Sequence, residues 1–423
     1  MNKLTTERTP NPTHELTLDN GLRVIVREDH RSPQVGITLV FAVGTDDERP
    51  EDFGVTAVLQ DALMRDYDDF IKETGATHQN FGGLERLSDS LLIAPEHLES
   101  ALKIQSTIMT DELSDELLRT CLDEALLYNK EKSLFISAVS FSPEIDALVT
   151  TGHSYYRPRE TIADNLERLT FEHLRNWRQS RYCPSNACLV IVGDVEAEEA
   201  KRLVERHFGS EDQRVAPFRP LIKGPTEPGY RQITQFLDTD YPLMLFIFNT
   251  PGMENAADPQ SVRALEVLDC LFKSSARLKS FENDDRSTIF ANVFRLCRAN
   301  NQFTLAFYFK GDPQQAEADL WALLDDVKRV PFTHEEIEPA TMQESTTLQA
   351  LYDNPFERSR SIGHLVATAQ PWQLIDLEVA QLRSVTAQDI QRAANACFTR
   401  ERATVAHVFP IEKNTSDVTG TSA

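Results

Sequence analysis

Histidine, cysteine and carboxylate side chains hold metals and move protons, and their spacing here leaves little of that chemistry. The ten histidines are His14, His30, His78, His97, His153, His173, His207, His334, His364 and His407. No two lie three or four residues apart, so no helix can present two imidazoles on one face. The six cysteines, Cys121, Cys183, Cys188, Cys270, Cys297 and Cys397, are scattered. Cys183 and Cys188 are too far apart for C-x-x-C, and no second close pair completes a zinc site, so buried free thiols are expected. No G-x-S-x-G, no P-loop and no G-x-G-x-x-G after a strand occurs. Gly82-Gly83 reads as a turn, residues 357–361 (ERSRS) as a solvated helix face, and His78 as a loop residue. The stretch on which the first half turns is residues 54–65, GVTAVLQDALMR, with Gln60 and Asp61 as its polar pair.

The elements that must position this stretch follow from the pattern around it. Residues 15–29 alternate apolar and polar on either side of Asn20-Gly21, which predicts a hairpin. A strand is expected over 35–43, then an acidic loop and the helix from Gly54. Amphipathic helices are expected from Pro95 and over 114–134, a helix over 171–180, a buried strand over 186–192 and a helix over 196–208. The proline-rich segment 209–229 reads as an extended linker. Beyond it the order restarts, with strands over 243–248 and 304–310, helices over 261–272, 313–327, 335–350 and 386–397, and a final strand over 403–409.

Composition sets outer bounds. A chain of 423 residues suits two domains or more. Apolar content of 41% and charged content of 26% are ordinary for a globular protein, and no apolar run approaches the roughly 18 residues of a membrane span. The polar N-terminus has no apolar core of a signal peptide, so the expected compartment is the cytoplasm, or the periplasm if a leader has been removed. Asp plus Glu is 66 against 43 Lys plus Arg, a net charge of -23, which argues against nucleic acid or an anionic membrane as partner. A basic peptide is favoured electrostatically; the plainer reading is a solubilising acidic surface.

The restart can be counted. Thr170 to Ala187 and Thr386 to Ala403 are each 17 positions, joining LTFEHLRNW to SNACLVIVG and VTAQDIQRA to ERATVAHVF. TAVLQDALM resembles RALEVLDCLF, with Asp61 facing Asp269. This spacing predicts duplication of a whole α/β domain.

Several motifs together carry a family resemblance: LDNGLRVIVREDHRSP from Leu18, HSYYRPRETI from His153, RYCPSNACLVIVGDV from Arg181, and the ALEVLDCLF and VTAQDIQRAA segments of the second half. They resemble the pitrilysin/insulinase-like zinc metallopeptidases, the inverzincins. The resemblance implies an α+β fold of two homologous α/β domains, each an antiparallel-rich sheet with helices on one face, arranged as a clamshell. The expected boundaries are 1–210 for a domain with a degenerate zinc site, 211–229 for the linker, 230–413 for the second domain and 414–423 for a disordered tail.

In that family the helix at residues 54–65 carries H-x-x-E-H, two zinc ligands around a glutamate base. Register through Gly54 places the motif on Ala57, Val58, Leu59, Gln60 and Asp61, so both histidines and the base are missing. A third family ligand falls on Glu124, beside Asp123, in one register, and on Tyr128 or Asn129 in another; Glu124 is either a remnant ligand or a solvated acid. The family's Arg/Tyr pair in the second half maps to Glu282 and Ile289, or Asn283 and Phe290; Arg286 is present without a tyrosine. Extended peptides are implied along an edge strand of the first domain, with Gln79, Asn80 and Phe81 as its expected substrate-binding residues. No cofactor is expected, zinc being the family's. The function expected is that of a non-catalytic subunit of a heteromeric zinc metallopeptidase, paired with a homologous chain carrying H-x-x-E-H and handling peptide or unfolded protein. The alternatives are a stand-alone peptide-binding or structural scaffold, and an active peptidase with an atypical site of Asp61, Glu124 and a remote histidine.

Overall fold

A computed structural model describes residues 12–63, 67–131, 142–150, 159–209, 214–218, 225–252, 258–293 and 300–411. The first half runs β1 (Thr13–Thr17), β2 (Arg23–Glu28), β3 (Val35–Phe41), α1 (Val55–Leu63), α2 (Asp68–Thr74), β4 (Thr77–Gly82) and β5 (Leu87–Ile93). It continues with α3 (Leu98–Thr110), α4 (Asp115–Glu131), α5 (Pro143–Val149), α6 (Arg159–Leu166), α7 (Phe171–Arg181), β6 (Ala187–Gly193) and α8 (Ala197–Phe208). The second half runs β7 (Arg231–Leu237), β8 (Leu243–Pro251), α9 (Pro259–Ser274), α10 (Ala276–Lys279), β9 (Arg286–Val293) and β10 (Asn300–Phe309). It closes with α11 (Pro313–Arg329), α12 (His334–Asp353), α13 (Pro355–Ala367), α14 (Leu374–Arg383), α15 (Ala387–Cys397) and β11 (Ala403–Pro410).

The strand order is β1-β2-β6-β3-β5-β4 in the first sheet and β7-β11-β8-β10-β9 in the second. Apart from β1, the two orders are the same. Each has one parallel pair, β2 with β6 and β7 with β11, and the remaining pairs are antiparallel. The helix-strand pair counted in the sequence sits at matching places. Thr170 and Thr386 cap α7 and α15, their hydroxyls accepting from the His173 and Asp389 amides at 3.1 and 3.2 Å. Ala187 and Ala403 then open β6 and β11. The chain is a duplicated mixed α/β fold, as its periodicity implies.

Side chains alternate across a strand, so a sheet with continuous apolar strands needs cover on both faces. In the first sheet, Val24, Val26, Ile37, Leu39, Leu189 and Ile191 enter a core with the half's own helices. Ile25, Val40, Cys188, Val190 and Val192 enter a second core that belongs to the other half. The cover on that side is α13, which packs across β3, β6 and β5. Reciprocally, Ile145 and Val149 of α5 pack on Leu245, Ile247, Ala406 and Val408 of the second sheet. Gln235 of β7 donates to the Glu144 carboxylate at 3.0 Å, and Arg231 donates to the Leu148 carbonyl. Each half thus lends one helix to the other's sheet.

Close approach of α13 depends on Gly36. A Cβ there would stand 2.3 Å from the Pro355 carbonyl oxygen, which is backbone and cannot swing away. Gly363 of α13 lies over Thr38 and Val40. Between them the Thr38 and Ser359 hydroxyls, both fully buried, share a hydrogen bond of 2.9 Å. Residues 357–361 are therefore not a solvated face: Ser359 is at the seam, and the helix period alone does not say which half it packs on. At the same seam, buried Arg27 makes a bidentate pair with Asp376 at 2.9 and 2.7 Å, and Arg31 bridges Asp29 and Asp353.

The segment read as a linker forms neither helix nor strand at 214–218 and 225–229; its remainder, the polar tail, Arg65, Cys297, residues 132–134 and residues 153–158 of the HSYYRPRETI motif lie outside the described residues. Among the described residues no helix is long and apolar enough to cross a membrane. Gly36→Ala is expected to cost about 1–3 kcal/mol of stability by forcing α13 off the sheet, read as a lowered denaturant midpoint with one unfolding transition for both halves.

Candidate functional site

α1 owes its position to the acidic loop before it. Gly54 adopts φ +101°, a left-handed conformation that favours glycine, and turns the chain into the helix. Glu48 is buried and accepts from the Gly54 and Thr56 amides at 3.2 and 2.7 Å. It satisfies two amides at the helix start and places negative charge at the positive end of the dipole. Val55, Val58, Leu59, Ala62 and Leu63 face the core. The opposite strip holds Ala57, Gln60 and Asp61, with Ala57 and Asp61 exposed and Gln60 half-buried.

This strip faces two other elements. α1 packs on α4, where Glu124 and Cys121 approach Asp61. Desolvation in the seam, and secondarily the charge of Glu124, hold the Asp61 carboxyl above its ordinary range. Burial, then Asp61 and Glu124, push the Cys121 thiol up to about 11, so it stays protonated near neutral pH. Glu124 is exposed and faces Asp61. Gln60 reaches the β4 edge: its Oε1 lies 1.6 Å from where a Cβ on Gly82 would stand, so glycine is what admits the carboxamide there.

β4 is an edge strand, bonded to β5 on one side. Its residues divide between two faces. His78, Asn80 and Gly82 are on the helix side with Asp89, and Gln79 and Phe81 on the other. The three residues expected to line a peptide are thus on one strand, but only Asn80 shares the side of Ala57, Gln60 and Asp61. Phe81 is 38% exposed, with the Arg86 guanidinium 4.2 Å from its ring centre. His78 is not in a loop. Its Nε2 lies 2.8 Å from the buried Asp89 carboxylate, which also accepts from Tyr67 at 2.7 Å and Gln105 at 2.8 Å. Alternating exposure over 77–82 was the sequence signal for this strand, obscured by the glycines that flank it.

Zinc needs three protein ligands of imidazole, thiolate or carboxylate type. The strip offers a methyl at Ala57, a carboxamide at Gln60, carboxylates at Asp61 and Glu124, and a thiol that resists ionisation. That set does not fit the metal. Among the described residues no three His, Cys, Asp or Glu side chains are grouped to hold an ion. Among the described residues the second half offers no substitute. Arg286 pairs with Asp319 and lies 4.7 Å over the Phe281 ring, so it is committed within its own half. The counterpart of Asp61, Asp269, is buried and paired with Lys273 at 2.6 Å.

Because Asp61 is harder to ionise in the folded chain, folding is favoured by its protonation. That contribution is complete below the ordinary aspartate value, roughly 4, and is lost as pH rises through the raised value. Asp61→Asn is therefore expected to raise the urea midpoint at pH 7 and to leave it unchanged at acid pH, measured as a midpoint series over pH.

Comparison with known proteins agrees with this fold. Residues 168–343 match the peptidase M16 inactive domain. The zinc protease PqqE of Helicobacter pylori is 23% identical over 94% of this chain and 93% of its own length. The crystal structure of a protease from Helicobacter pylori superposes with a TM-score of 0.83 at 16% identity, covering 95% of this chain and all (100%) of that one. That of a peptidase M16 inactive domain from Pseudomonas fluorescens gives 0.78 at 14% identity, covering 95% and 98%. With a duplicated clamshell fold shared with these structures and no H-x-x-E-H in its sequence, the chain is a degenerate member of the pitrilysin-like M16 peptidase family.

Proposed function

We propose that this chain is the non-catalytic subunit of a heteromeric zinc metallopeptidase, paired with a homologous chain that carries H-x-x-E-H. The observation that carries the reading is the face of α1. The helix is capped, buried on one side and aimed at β4 and α4 as a catalytic helix would be, yet Ala57, Gln60 and Asp61 supply neither ligands nor base. The chain's own residues serve to hold peptide: β4 presents unpaired backbone groups along one edge, Asn80 beside them, and Phe81 and Gln79 on the reverse side. The charge of -23 favours basic peptides in that role. Zinc and the base come from the partner.

Affinity purification of the tagged chain from its own cells tests the pairing. A stoichiometric chain of similar size with H-x-x-E-H is expected, and peptide cleavage only when both are present. Recovery of the chain alone, or chelator-sensitive cleavage by the chain alone, would sink the reading. The register has its own test. Ala57→His, Gln60→Glu and Asp61→His together are expected to give stoichiometric zinc by elemental analysis, lost again on adding Glu124→Ala. A folded triple variant without zinc would mean that α1 and α4 do not meet as described.

A further inference from the structure

α13 ends at Ala367, and beside its end lies a cavity of about 330 Å3 on the same face of the first sheet. Its size is at the lower end of ligand pockets, roughly 300–1,000 Å3. Val40 and Cys188 line it from the sheet, and Val366 and Ala367 from the second half. The walls therefore come from both halves, and these four side chains belong to the cavity's apolar part.

Four polar side chains, Thr17, Arg23, Ser185 and Asn186, line this space, and the Ser185 hydroxyl is already engaged by the Arg214 carbonyl at 2.8 Å and the Ala216 amide at 3.2 Å. Arg23 donates through Nε to Glu15 at 2.6 Å and has no other partner among the described residues, so both terminal nitrogens are available. Thr17 stands directly opposite Arg23 in the β1–β2 register, its hydroxyl likewise unpaired among the described residues. Asn186 spends its amide hydrogens on the Ala42 and Arg181 carbonyls at 3.3 and 2.9 Å, which leaves Oδ1 as an acceptor. Glu15 is already satisfied, by Arg23 and by Trp372 at 3.0 Å. Arg23 and Glu15 cancel in formal charge, and the C-terminal end of α13 adds a partial negative charge. A lone anion would meet Glu15 and the helix end; a lone cation would meet the guanidinium.

We propose that this cavity binds a small zwitterion of the α-amino-acid type, free or as a dipeptide. Its carboxylate takes the outer edge of the Arg23 guanidinium with Thr17 as a further donor. Its ammonium meets Asn186 Oδ1 and the end of α13, and a short aliphatic side chain rests on Val40 and Val366. Because the occupant touches both halves, binding tightens the seam.

Calorimetric titration of the purified full chain tests this, with L-alanine, L-alanyl-L-alanine, propionate and propylamine as probes. One of the zwitterions is expected to bind saturably and at least tenfold tighter than either singly charged probe, and the tighter of the two identifies the source. Arg23→Gln should abolish binding, and Thr17→Val, at an exposed position, should weaken it several-fold, both with unchanged circular dichroism. Absence of saturable binding by either zwitterion, equal binding of propionate or propylamine, or wild-type binding by folded Arg23→Gln would each overturn the proposal. The titration needs no partner chain, so it stands apart from the test of subunit pairing.

Discussion

The contact between α13 and β3 is the constraint on which the rest depends. A six-stranded sheet with apolar residues on both faces is unstable unless both are covered, and the first half supplies helices for only one. Cover for the other comes from about 160 residues downstream of the sheet's last strand, an interval counted between Gly193 and Pro355. The fit is made by absence of side chain: Gly36 lets the Pro355 carbonyl sit where a Cβ would be, and Gly363 faces Thr38. Polar groups then fix the register, with Thr38 to Ser359 in the dry centre and Arg27 to Asp376 toward the rim. Buried donors and acceptors that match only in one alignment penalise every other alignment.

That rigid frame holds α1 in place independently of the residues on its outer strip. α1 is held by Glu48 at its start and by Val55, Val58, Leu59 and Ala62 beneath. None of these contacts involves Ala57, Gln60 or Asp61, so exchange of ligands on the outer strip leaves the helix where it was. The pairing of Asp61 with Glu124 carries an electrostatic cost that the protein tolerates at the surface, where water screens it. Nothing comparable survives on α9, whose matching acid is buried and neutralised by Lys273.

Much of this was legible in the residues. Period-two and helical patterns located most elements but not α2, β4, α5, α6, β7, α10, β9 or α14, and the equal spacing from Thr170 to Ala187 and from Thr386 to Ala403 disclosed the duplication, because a cap and a strand start are both local events. The absence of any H-x-x-E-H was legible for the same reason. What was hidden is long-range. The polar run 357–361 reads as solvated because the contact that buries Ser359, its hydrogen bond to Thr38, joins residues more than 300 positions apart. His78 read as a loop residue because glycines flank β4, and its tie to Asp89 spans a strand pairing that no local pattern encodes. The splitting of Gln79, Asn80 and Phe81 between two faces follows from the pleat once the strand is known.

The exchange of α5 and α13 has a consequence for how this protein is made. A ribosome adds roughly 5–20 residues per second. The first sheet has all its strands once Gly193 emerges, but its second face stays wet until Ala367 does, 174 residues later. For roughly ten to thirty seconds the nascent chain exposes Ile25, Val40, Val190 and Val192. The same residues that later lock the two halves together are, during synthesis, an apolar face open to water, where nascent chains are prone to aggregate.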